Sequence, residues 1–442
     1  MSALPQLKAL GDPIPDRDHA ISVHFPTWDD VRDYGAGKPR VANALQMDIQ
    51  DRTYTNITKQ YVTANPIFCA PSEELVLFPD YQTAEDCKIF ITSQRVHSAN
   101  AANPKDVSLV LVEFNKAQDA SSAEDVLFIP RLYGVVHPAE FRKVKMTFWR
   151  LTGTGISSRP SAELPVYDTI RKRVAEFLNR APTNPGRAQR DKKRRCVLYP
   201  SGMAAIYHVH HALPKWRNSD IMMLGFPYEL TIKMIEAMNS RKGQKIQSVW
   251  CECPNNPMLR TSNLKRVRKL ANQYDFIFVV DDTIGSFANV DVMDVADIVV
   301  TSLSKYFNGF ADVLAGSIFL NSNFPHYPEL KNAFNAEYTN NLYLADAMRL
   351  ELNSRGYLER FTQQNNTASA VVDFLCPYTS DAKSTLATVY YPKLVLQQEK
   401  TWASSHGLSE TLVRISVGMV EKHSMLECVK KALQAADATR NA

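Results

Sequence analysis

Short apolar runs and segments with helical spacing alternate along the chain from residue 196 onward. The predicted strands are 196–199, 221–224, 246–251, 276–280, 298–300 and 313–320, and the predicted helices include 228–238 and 264–274. Alternation of this kind is typical of an α/β fold, with a mostly parallel sheet covered by helices on both faces. Ligands in such folds bind at the carboxyl ends of the strands, so the residues that follow each strand are the candidates for a functional site.

The first 150 residues have a different pattern. Short apolar runs at 109–112 and 126–129 lie among many turn formers, which indicates an α+β region. Beyond a polar segment at 153–160, apolar residues recur at the i, i+4, i+7 and i+8 positions of a helix packed on one side. These residues are Ile170, Val174, Phe177 and Leu178. We therefore expect an N-terminal α+β extension (1–150), a large α/β domain (151–335) and a C-terminal α+β domain (336–442).

Composition narrows the class of protein. Of 442 residues, 45% are hydrophobic and 22% charged, and no apolar run approaches the ~20 residues of a membrane-spanning helix. The net charge of +5 arises in segment 187–195, where six basic residues stand against one acidic residue. The rest of the chain has no net charge, so it lacks the distributed basic face that nucleic-acid binding needs. Seven cysteines without framework spacing fit a reducing compartment, so we expect a cytoplasmic protein without membrane or nucleic-acid partners.

An acid and a lysine follow neighbouring predicted strands. Asp281 comes directly after strand 276–280, and Lys305 lies a few residues beyond strand 298–300. A structural ion pair would use the same two residue types. Residues 201–203, however, lie between a strand and a helix, where backbone N–H groups form a cradle for a phosphate. A Schiff-base lysine, a carboxylate for a pyridine nitrogen and a phosphate cradle together indicate pyridoxal 5′-phosphate (PLP).

Two small clusters could suggest a metal site. His208 and His211 are spaced to share a helical face, and Cys251 and Cys253 are spaced to share a strand face. No further cysteine, histidine or carboxylate follows either pair at the spacing of metal ligands. We expect packing roles for these residues and no bound metal.

Six ordered stretches resemble the Cys/Met-metabolism family of fold-type I PLP enzymes, and most of all its fungal cystathionine γ-synthase branch. They are YPSGMAAIY (199–207), GFPYELT (225–231), ECPNNPMLR (252–260), VVDDT (279–283), SLSKYFNGFADVLAGSI (302–318) and LVRISVG (412–418). The resemblance covers most of the chain. It implies a PLP fold-type I, aspartate-aminotransferase-like architecture with a mainly parallel sheet, an N-terminal extension and a shortened C-terminal domain.

The resemblance also implies roles for individual residues. Lys305 would form the Schiff base and move protons, Asp281 would pair with the pyridinium nitrogen, and Tyr228 would stack on the ring and assist proton transfer. The other cofactor-binding positions would be Ser201, Gly202, Met203, Asn256, Thr283, Ser302, Ser304 and, from a neighbouring subunit, Arg159. Arg414 would clamp the substrate carboxylate, with Glu252 supporting the site. The alternatives are a core aromatic for Tyr228, an ion-pair partner for Glu252 and a surface arginine for Arg414.

Three departures from the family pattern stand out. Ser157 replaces the usual tyrosine, Asp282 replaces the usual asparagine and adds a negative charge beside Asp281, and the stretch between Leu394 and Arg414 is short. The expected activity is replacement at the γ-carbon of an O-acyl-homoserine by cysteine, giving cystathionine, in a homodimer or homotetramer with shared active sites. The alternatives are a γ-lyase, a γ-substitution enzyme with another nucleophile, or a PLP-binding homologue with impaired activity.

Overall fold

The computed structural model describes a substantial part of the chain. The described residues are 74–78, 107–115, 144–152, 164–180, 182–184, 196–228, 231–232, 234–235, 245–310, 313–336, 338, 340–342, 344–375, 407–408, 417, 419 and 421–440. Arg159, Arg414, Ser157 and the basic segment 187–195 lie outside these residues, so their expected roles stay predictions.

Three strands of the N-terminal region form a parallel sheet. They are β1 (Glu74–Phe78), β2 (Val107–Asn115) and β3 (Val144–Thr152), with β3 in the centre and parallel to both neighbours. The predicted apolar run at 109–112 lies inside β2, and the run at 126–129 lies outside the described residues. The boundaries of the N-terminal extension remain a prediction.

The strands described from residue 196 to residue 320 form a six-stranded sheet. Its strands are β4 (Cys196–Tyr199), β5 (Asp220–Leu224), β6 (Ile246–Glu252), β7 (Ile277–Asp281), β8 (Ile298–Ser302) and β9 (Gly316–Leu320). The order is β4-β9-β8-β7-β6-β5, in which β5 to β8 are mutually parallel and β9 is antiparallel to both neighbours. The prediction of a mostly parallel sheet is confirmed, with one strand reversed.

The sheet is buried on both faces. Phe278 and Val280 of β7 belong to one apolar cluster, whereas Ile277 and Val279, which point the other way, belong to a second. All four are fully buried, as the continuous apolar sequence of β7 predicts for a central strand. Burial on both faces fixes the strand register, and the register in turn fixes where each strand ends.

Helices cover both faces of this sheet. The described helices are α1 (Pro165–Leu178), α2 (Gly202–Trp216), α3 (Leu264–Tyr274), α4 (Ser286–Asn289), α5 (Tyr327–Asn335), α6 (Leu344–Asn353), α7 (Tyr357–Leu375) and α8 (Lys422–Arg440), with a 3₁₀ turn at Ser354–Gly356. Helix α2 packs against α5, α1 packs against α6, and α7 packs against α8. None of the described helices is long and apolar enough to cross a membrane.

Candidate cofactor site

The carboxyl ends of β4, β6, β7 and β8 meet at one edge of the sheet. Glu252 at the end of β6 is in register with Asp281 at the end of β7. Ser302 at the end of β8 and Tyr199 at the end of β4 are both in register with Gly316 of β9. The predicted acid, lysine turn and phosphate cradle therefore start from neighbouring strand ends.

Close packing holds the start of α2 against β8 and β9. Ser201 caps the helix, since its Oγ accepts a hydrogen bond of 3.0 Å from the Ala204 N–H. A Cβ on Gly202 would lie 2.7 Å from Ser302 Cβ, and a Cβ on Gly316 would lie 2.2 Å from the Ser201 carbonyl oxygen. Only glycine permits this approach. The first N–H groups of α2 thus face the ends of β8 and β9 with the partial positive charge that attracts a phosphate.

Thr283 links the end of β7 to the end of β8. Its N–H donates to Asp281 Oδ1 at 2.9 Å, and its Oγ1 accepts a hydrogen bond of 2.9 Å from the Ser302 N–H. Burial raises the pKa of Asp281, while the hydrogen bonds from Thr283 oppose that rise. The hydrogen bond from the Thr283 N–H therefore fixes the Asp281 carboxyl in place.

Glu252 is a buried acid bonded to backbone groups. Its carboxyl accepts hydrogen bonds from the N–H of Tyr228 at 2.5 Å and of Asn256 at 3.1 Å. Burial and the neighbouring Asp281 raise the pKa of Glu252 to about 8, against the effect of the two N–H donors. Within the described residues no cation forms an ion pair with Glu252, so the ion-pair alternative finds no support there. Glu252, at the end of β6, instead holds the backbone at Tyr228 and at Asn256 through these two hydrogen bonds.

Asp282 points into the protein interior. Its side chain is fully buried and its Oδ1 accepts a hydrogen bond from Thr301 Oγ1, whereas Oδ2 has no partner among the described residues. Burial raises the pKa of Asp282 to about 8, with a further rise from Asp281. At neutral pH the protonated form is favoured. The expectation of an extra full negative charge beside Asp281 was therefore wrong, because burial keeps this carboxyl largely neutral.

Lys305 lies on the tight turn that follows β8. Its side chain is exposed, its N–H donates to the Ser302 carbonyl at 3.3 Å, and its carbonyl accepts from the Gly309 N–H at 2.8 Å. Tyr228 is 37% exposed, which rules out the alternative of a core aromatic. The turn thus presents an accessible amine at the same sheet edge as Asp281.

The two serines of the lysine turn are placed differently. Ser302 is half-buried beside Gly202 at the start of α2. The Ser304 hydroxyl instead accepts from the Ala315 N–H at 2.8 Å and donates to the Ala315 carbonyl at 3.2 Å. A phosphate contact from Ser304 would require that second hydrogen bond to break. The geometry therefore favours Ser302 for the anion and gives Ser304 a structural contact to β9.

The residues that first suggested a metal pack in the interior or against rings. His208 stacks on Tyr199 with ring centroids 4.6 Å apart, and His211 stacks on Tyr207 at 5.8 Å. Cys251 and Cys253 are buried, and burial raises the pKa of both thiols. In the parts of the chain that the structure describes, no group of three or more potential ligands could hold a metal ion.

Sequence reasoning missed Arg360. This residue of α7 donates hydrogen bonds to two carbonyls of the lysine turn, those of Phe307 and Asn308. More than fifty positions separate it from the turn, and it belongs to none of the stretches that carry the family resemblance. Only the three-dimensional fold brings the two together.

Comparison with known proteins decides the family. The family model described as Cys/Met metabolism PLP-dependent enzyme matches residues 231–406, and that of the fungal trans-sulfuration enzyme N-terminal domain matches 55–157. Alanine racemase ungC of Aspergillus violaceofuscus is 32% identical over 92% of this chain and 82% of its own length. The chain belongs to the Cys/Met-metabolism family of PLP-dependent enzymes. The predicted family and the PLP cofactor are thereby confirmed.

Other members of the family extend the comparison. Cystathionine γ-synthase of Neurospora crassa is 24% identical over 97% of this chain and 98% of its own. The solved cystathionine γ-synthase of Xanthomonas oryzae pv. oryzae superposes with a TM-score of 0.51 at 19% identity, covering 65% of this chain and 91% of that one. This likeness confirms the fold-type I architecture. The alignment with the racemase spans 491 positions, more than the 442 residues of this chain, so that relative carries internal residues that this chain lacks.

The described residues fit PLP. A phosphate would meet the N-terminus of α2 and the Ser302 hydroxyl, and the ring nitrogen would find a fixed carboxyl in Asp281. The exposed Lys305, on the turn that follows β8, would supply the amine for the aldehyde. The close approach at Gly202 and Gly316 supports this fit because it holds the start of α2 against the end of β8 and the start of β9.

Proposed function

We propose that the chain catalyses PLP-dependent γ-replacement on an O-acyl-homoserine, with cysteine as the nucleophile and cystathionine as the product. The observation that supports it best is the exposed Lys305 at the same sheet edge as the fixed Asp281 carboxyl and the cradle of α2. The almost full-length similarity to a fungal cystathionine γ-synthase supports the choice of reaction.

Residues of one subunit would bind most of the cofactor. The α2 N-terminus at Ser201, Gly202 and Met203 would hold the phosphate together with Ser302. Asp281, oriented by Thr283, would keep the ring nitrogen protonated, since a neighbouring cation favours the ionised form of this buried acid. The exposed ring of Tyr228 would stack on the cofactor, with Asn256 beside its 3′ oxygen and Glu252 holding both segments by their backbone.

Lys305 would carry the proton transfers. When bound, PLP withdraws electrons from the α-carbon of the amino-acid substrate and makes its proton acidic. The Lys305 amine would take that proton, then one from Cβ, and return protons after the exchange at Cγ. The Cγ–O bond breaks with loss of the acyl carboxylate, and the Cγ–S bond forms with the cysteine thiolate. A long side chain on an anchored turn can reach all three carbons in succession.

Substrate binding and assembly would involve the remaining predicted residues. Arg414 would hold the substrate carboxylate with two parallel hydrogen bonds, and Arg159 would reach the phosphate of a neighbouring subunit. The active enzyme would then be a homodimer or a homotetramer in which each site is shared. The side chains that contact the acyl group and the nucleophile would determine which ester and which nucleophile the enzyme uses.

A racemase is the second candidate. Alanine racemase ungC is similar to 92% of this chain. Inversion at Cα needs removal of the Cα proton, which is the first step assigned to Lys305, and return of a proton to the opposite face of Cα, but no reaction at Cβ or Cγ. A reduced C-terminal domain would affect this shorter reaction less than γ-replacement. A γ-lyase, another γ-substitution enzyme and an impaired PLP-binding homologue remain as outcomes of the test.

One incubation series separates these functions. Purified holoenzyme is given O-acetyl- or O-succinyl-homoserine with and without cysteine, and in parallel L-alanine in D₂O, with Lys305→Ala as the inactive control. We expect cystathionine only when ester and cysteine are both present. Formation of D-alanine labelled at Cα, without cystathionine, would overturn the proposal in favour of racemisation. Release of 2-oxobutanoate without cysteine would indicate a lyase, and no turnover of any substrate would indicate an impaired homologue.

A further inference from the structure

Arg360 of α7 binds the turn that carries Lys305 from outside the sheet. Arg360 Nη2 donates to the carbonyl oxygens of Phe307 at 3.3 Å and Asn308 at 3.2 Å, and Nη1 donates to the Asn353 carbonyl at 2.8 Å. One guanidinium therefore joins the turn after β8 to the end of α6 and the start of α7.

This arginine has no carboxylate among its described partners. Its hydrogen bonds end on backbone carbonyls, and its guanidinium carbon lies 5.0 Å from the centre of the Phe310 ring. Partial burial lowers the pKa of Arg360, which shows that the environment disfavours the charge. A half-buried guanidinium with no carboxylate partner among the described residues costs free energy. What it contacts there are the carbonyls of the lysine turn, the Asn353 carbonyl and the Phe310 ring.

Gly309 completes the arrangement. Its φ is +81°, and a Cβ at this position would lie 2.7 Å from Arg360 Nε. The Gly309 N–H donates to the Lys305 carbonyl at 2.8 Å, which closes the turn on the lysine itself. A second link runs from Asn353 Nδ2 to Asn308 Oδ1 at 2.8 Å. Arg360 thus bonds to Phe307 and Asn308, which lie between Lys305 and Gly309 in the turn that the Gly309 N–H closes.

We propose that Arg360 is a positioning residue for Lys305: it fixes the turn from which the lysine side chain reaches the cofactor and the substrate carbons. The inference rests on the role proposed for Lys305. A lysine side chain has four rotatable bonds, so the only fixed reference for its amine is its own backbone. A misplacement of ~1 Å at a reacting group can cost about 100-fold in rate. Loss of Arg360 should therefore lower kcat with a smaller effect on KM.

The test uses holoenzyme and begins with wild type, where borohydride reduction and peptide mapping must place the pyridoxyl group on Lys305. A label elsewhere refutes the proposed role of Lys305, and the Arg360 inference with it. Arg360→Ala and Arg360→Lys are then compared with Arg355→Ala. Arg355 is a matched control because it lies five positions away on the same segment and pairs with Glu351 at the surface, with a side chain that is 63% exposed.

Two measurements report on positioning apart from turnover. They are the rate of borohydride trapping at Lys305 and the pH midpoint of the cofactor's visible absorption band. We expect Arg360→Ala to slow trapping at least about 10-fold and to move the midpoint, Arg360→Lys to fall between Ala and wild type, and Arg355→Ala to match wild type. A lower Tm with unchanged trapping and midpoint would overturn the inference, since Arg360 would then be purely structural.

A second variant guards against misfolding of Arg360→Ala. Gly309→Ala keeps Arg360 but places a methyl group against its guanidinium, so it disturbs the contact between Arg360 and the turn. This variant should therefore also slow borohydride trapping. If Arg360→Ala does not fold, the decision passes to Arg360→Lys and Gly309→Ala. Wild-type trapping rates in both would overturn the inference.

Discussion

At the scale of single residues, three carboxyls crowd the edge where β6 and β7 end. Glu252 and Asp282 are buried with pKa values raised to about 8, and Asp281 between them is raised as well. Three neighbouring negative charges would repel one another, so the arrangement is stable when the outer two acids hold their protons. Burial raises the pKa of Asp281 too, and a pyridinium nitrogen beside this carboxyl would favour its ionised form.

Substitution separates the two adjacent aspartates. Asp281→Asn removes the proposed partner of the ring nitrogen, and we expect kcat to fall at least about 100-fold and PLP affinity to drop. Asp282→Asn replaces a largely protonated acid by an amide of the same shape, and we expect activity within about threefold of wild type. Steady-state kinetics and cofactor titration measure both. A larger loss in Asp282→Asn than in Asp281→Asn would reverse the assignment.

The raised pKa of Asp282 also predicts how stability depends on pH. The native carboxyl binds its proton more tightly than the unfolded one, so its contribution is fully present below the ordinary value of 3.8 and is lost as pH rises through about 8. We expect the free energy of unfolding of the cofactor-free protein to decline over this interval by on the order of 1 kcal/mol or more from this group. Asp282→Asn should flatten the decline in urea titrations at several pH values. An unchanged slope in the variant would show that Asp282 ionises freely.

At the scale of elements, the helices and strands that position the site were largely predictable. The predicted helix at 264–274 matches α3, and the strands at 196–199 and 246–251 lie within β4 and β6. Strong apolar runs and an Asn263 cap, which accepts from the Arg266 N–H at 3.0 Å, explain the agreement. The last predicted strand was too long at its start, since β9 begins at Gly316 rather than at residue 313.

Contacts between distant elements could not be predicted from the sequence. The bond of Ser304 to Ala315 and that of Arg360 to the lysine turn depend on which strands and helices become neighbours. The same holds for the burial of Asp282, because an acid after a strand can face either the solvent or the core. Sequence patterns predict which residues lie at the strand ends. The protonation and the hydrogen-bond partners of those residues depend on burial and on neighbours that only the tertiary structure determines.

The junction between α2 and β8 offers a steric test. Gly202→Ala places a methyl group 2.7 Å from Ser302 Cβ, so we expect the start of α2 to move and PLP affinity to fall at least about 10-fold. The double variant Gly202→Ala/Ser302→Gly lacks the Ser302 Cβ with which the new methyl group would clash. Its loss of PLP binding free energy should therefore be smaller than the sum of the losses in the two single variants. Strict additivity in the cofactor titrations would show that this contact does not position the cradle.

At the scale of the whole molecule, the proposed site extends beyond a single subunit. Arg159 and Arg414, which would complete the phosphate and substrate contacts, lie outside the described residues, and their roles rest on the family resemblance. The shortened C-terminal domain likewise stays a prediction from the short stretch between Leu394 and Arg414.

Subunit mixing tests the shared site. If Arg159 contacts the phosphate of a neighbour, Lys305→Ala and Arg159→Ala chains are each inactive alone but complement each other in a mixed dimer. Two-fold symmetry predicts recovery of about a quarter of the sites after random exchange. Activity and cofactor content of the mixture give the measurement, with each variant alone as control. No recovery in a mixture shown to exchange subunits would place Arg159 away from the phosphate.

The central claim is that Lys305, on the turn after β8, binds the PLP cofactor covalently opposite Asp281. Borohydride reduction of the purified holoenzyme, followed by peptide mapping, tests it most directly. The account predicts one pyridoxyl group per chain, on the peptide that contains Lys305, and none in Lys305→Ala. A pyridoxyl group on any other lysine, or an unlabelled wild-type chain that nevertheless retains the cofactor, would contradict it.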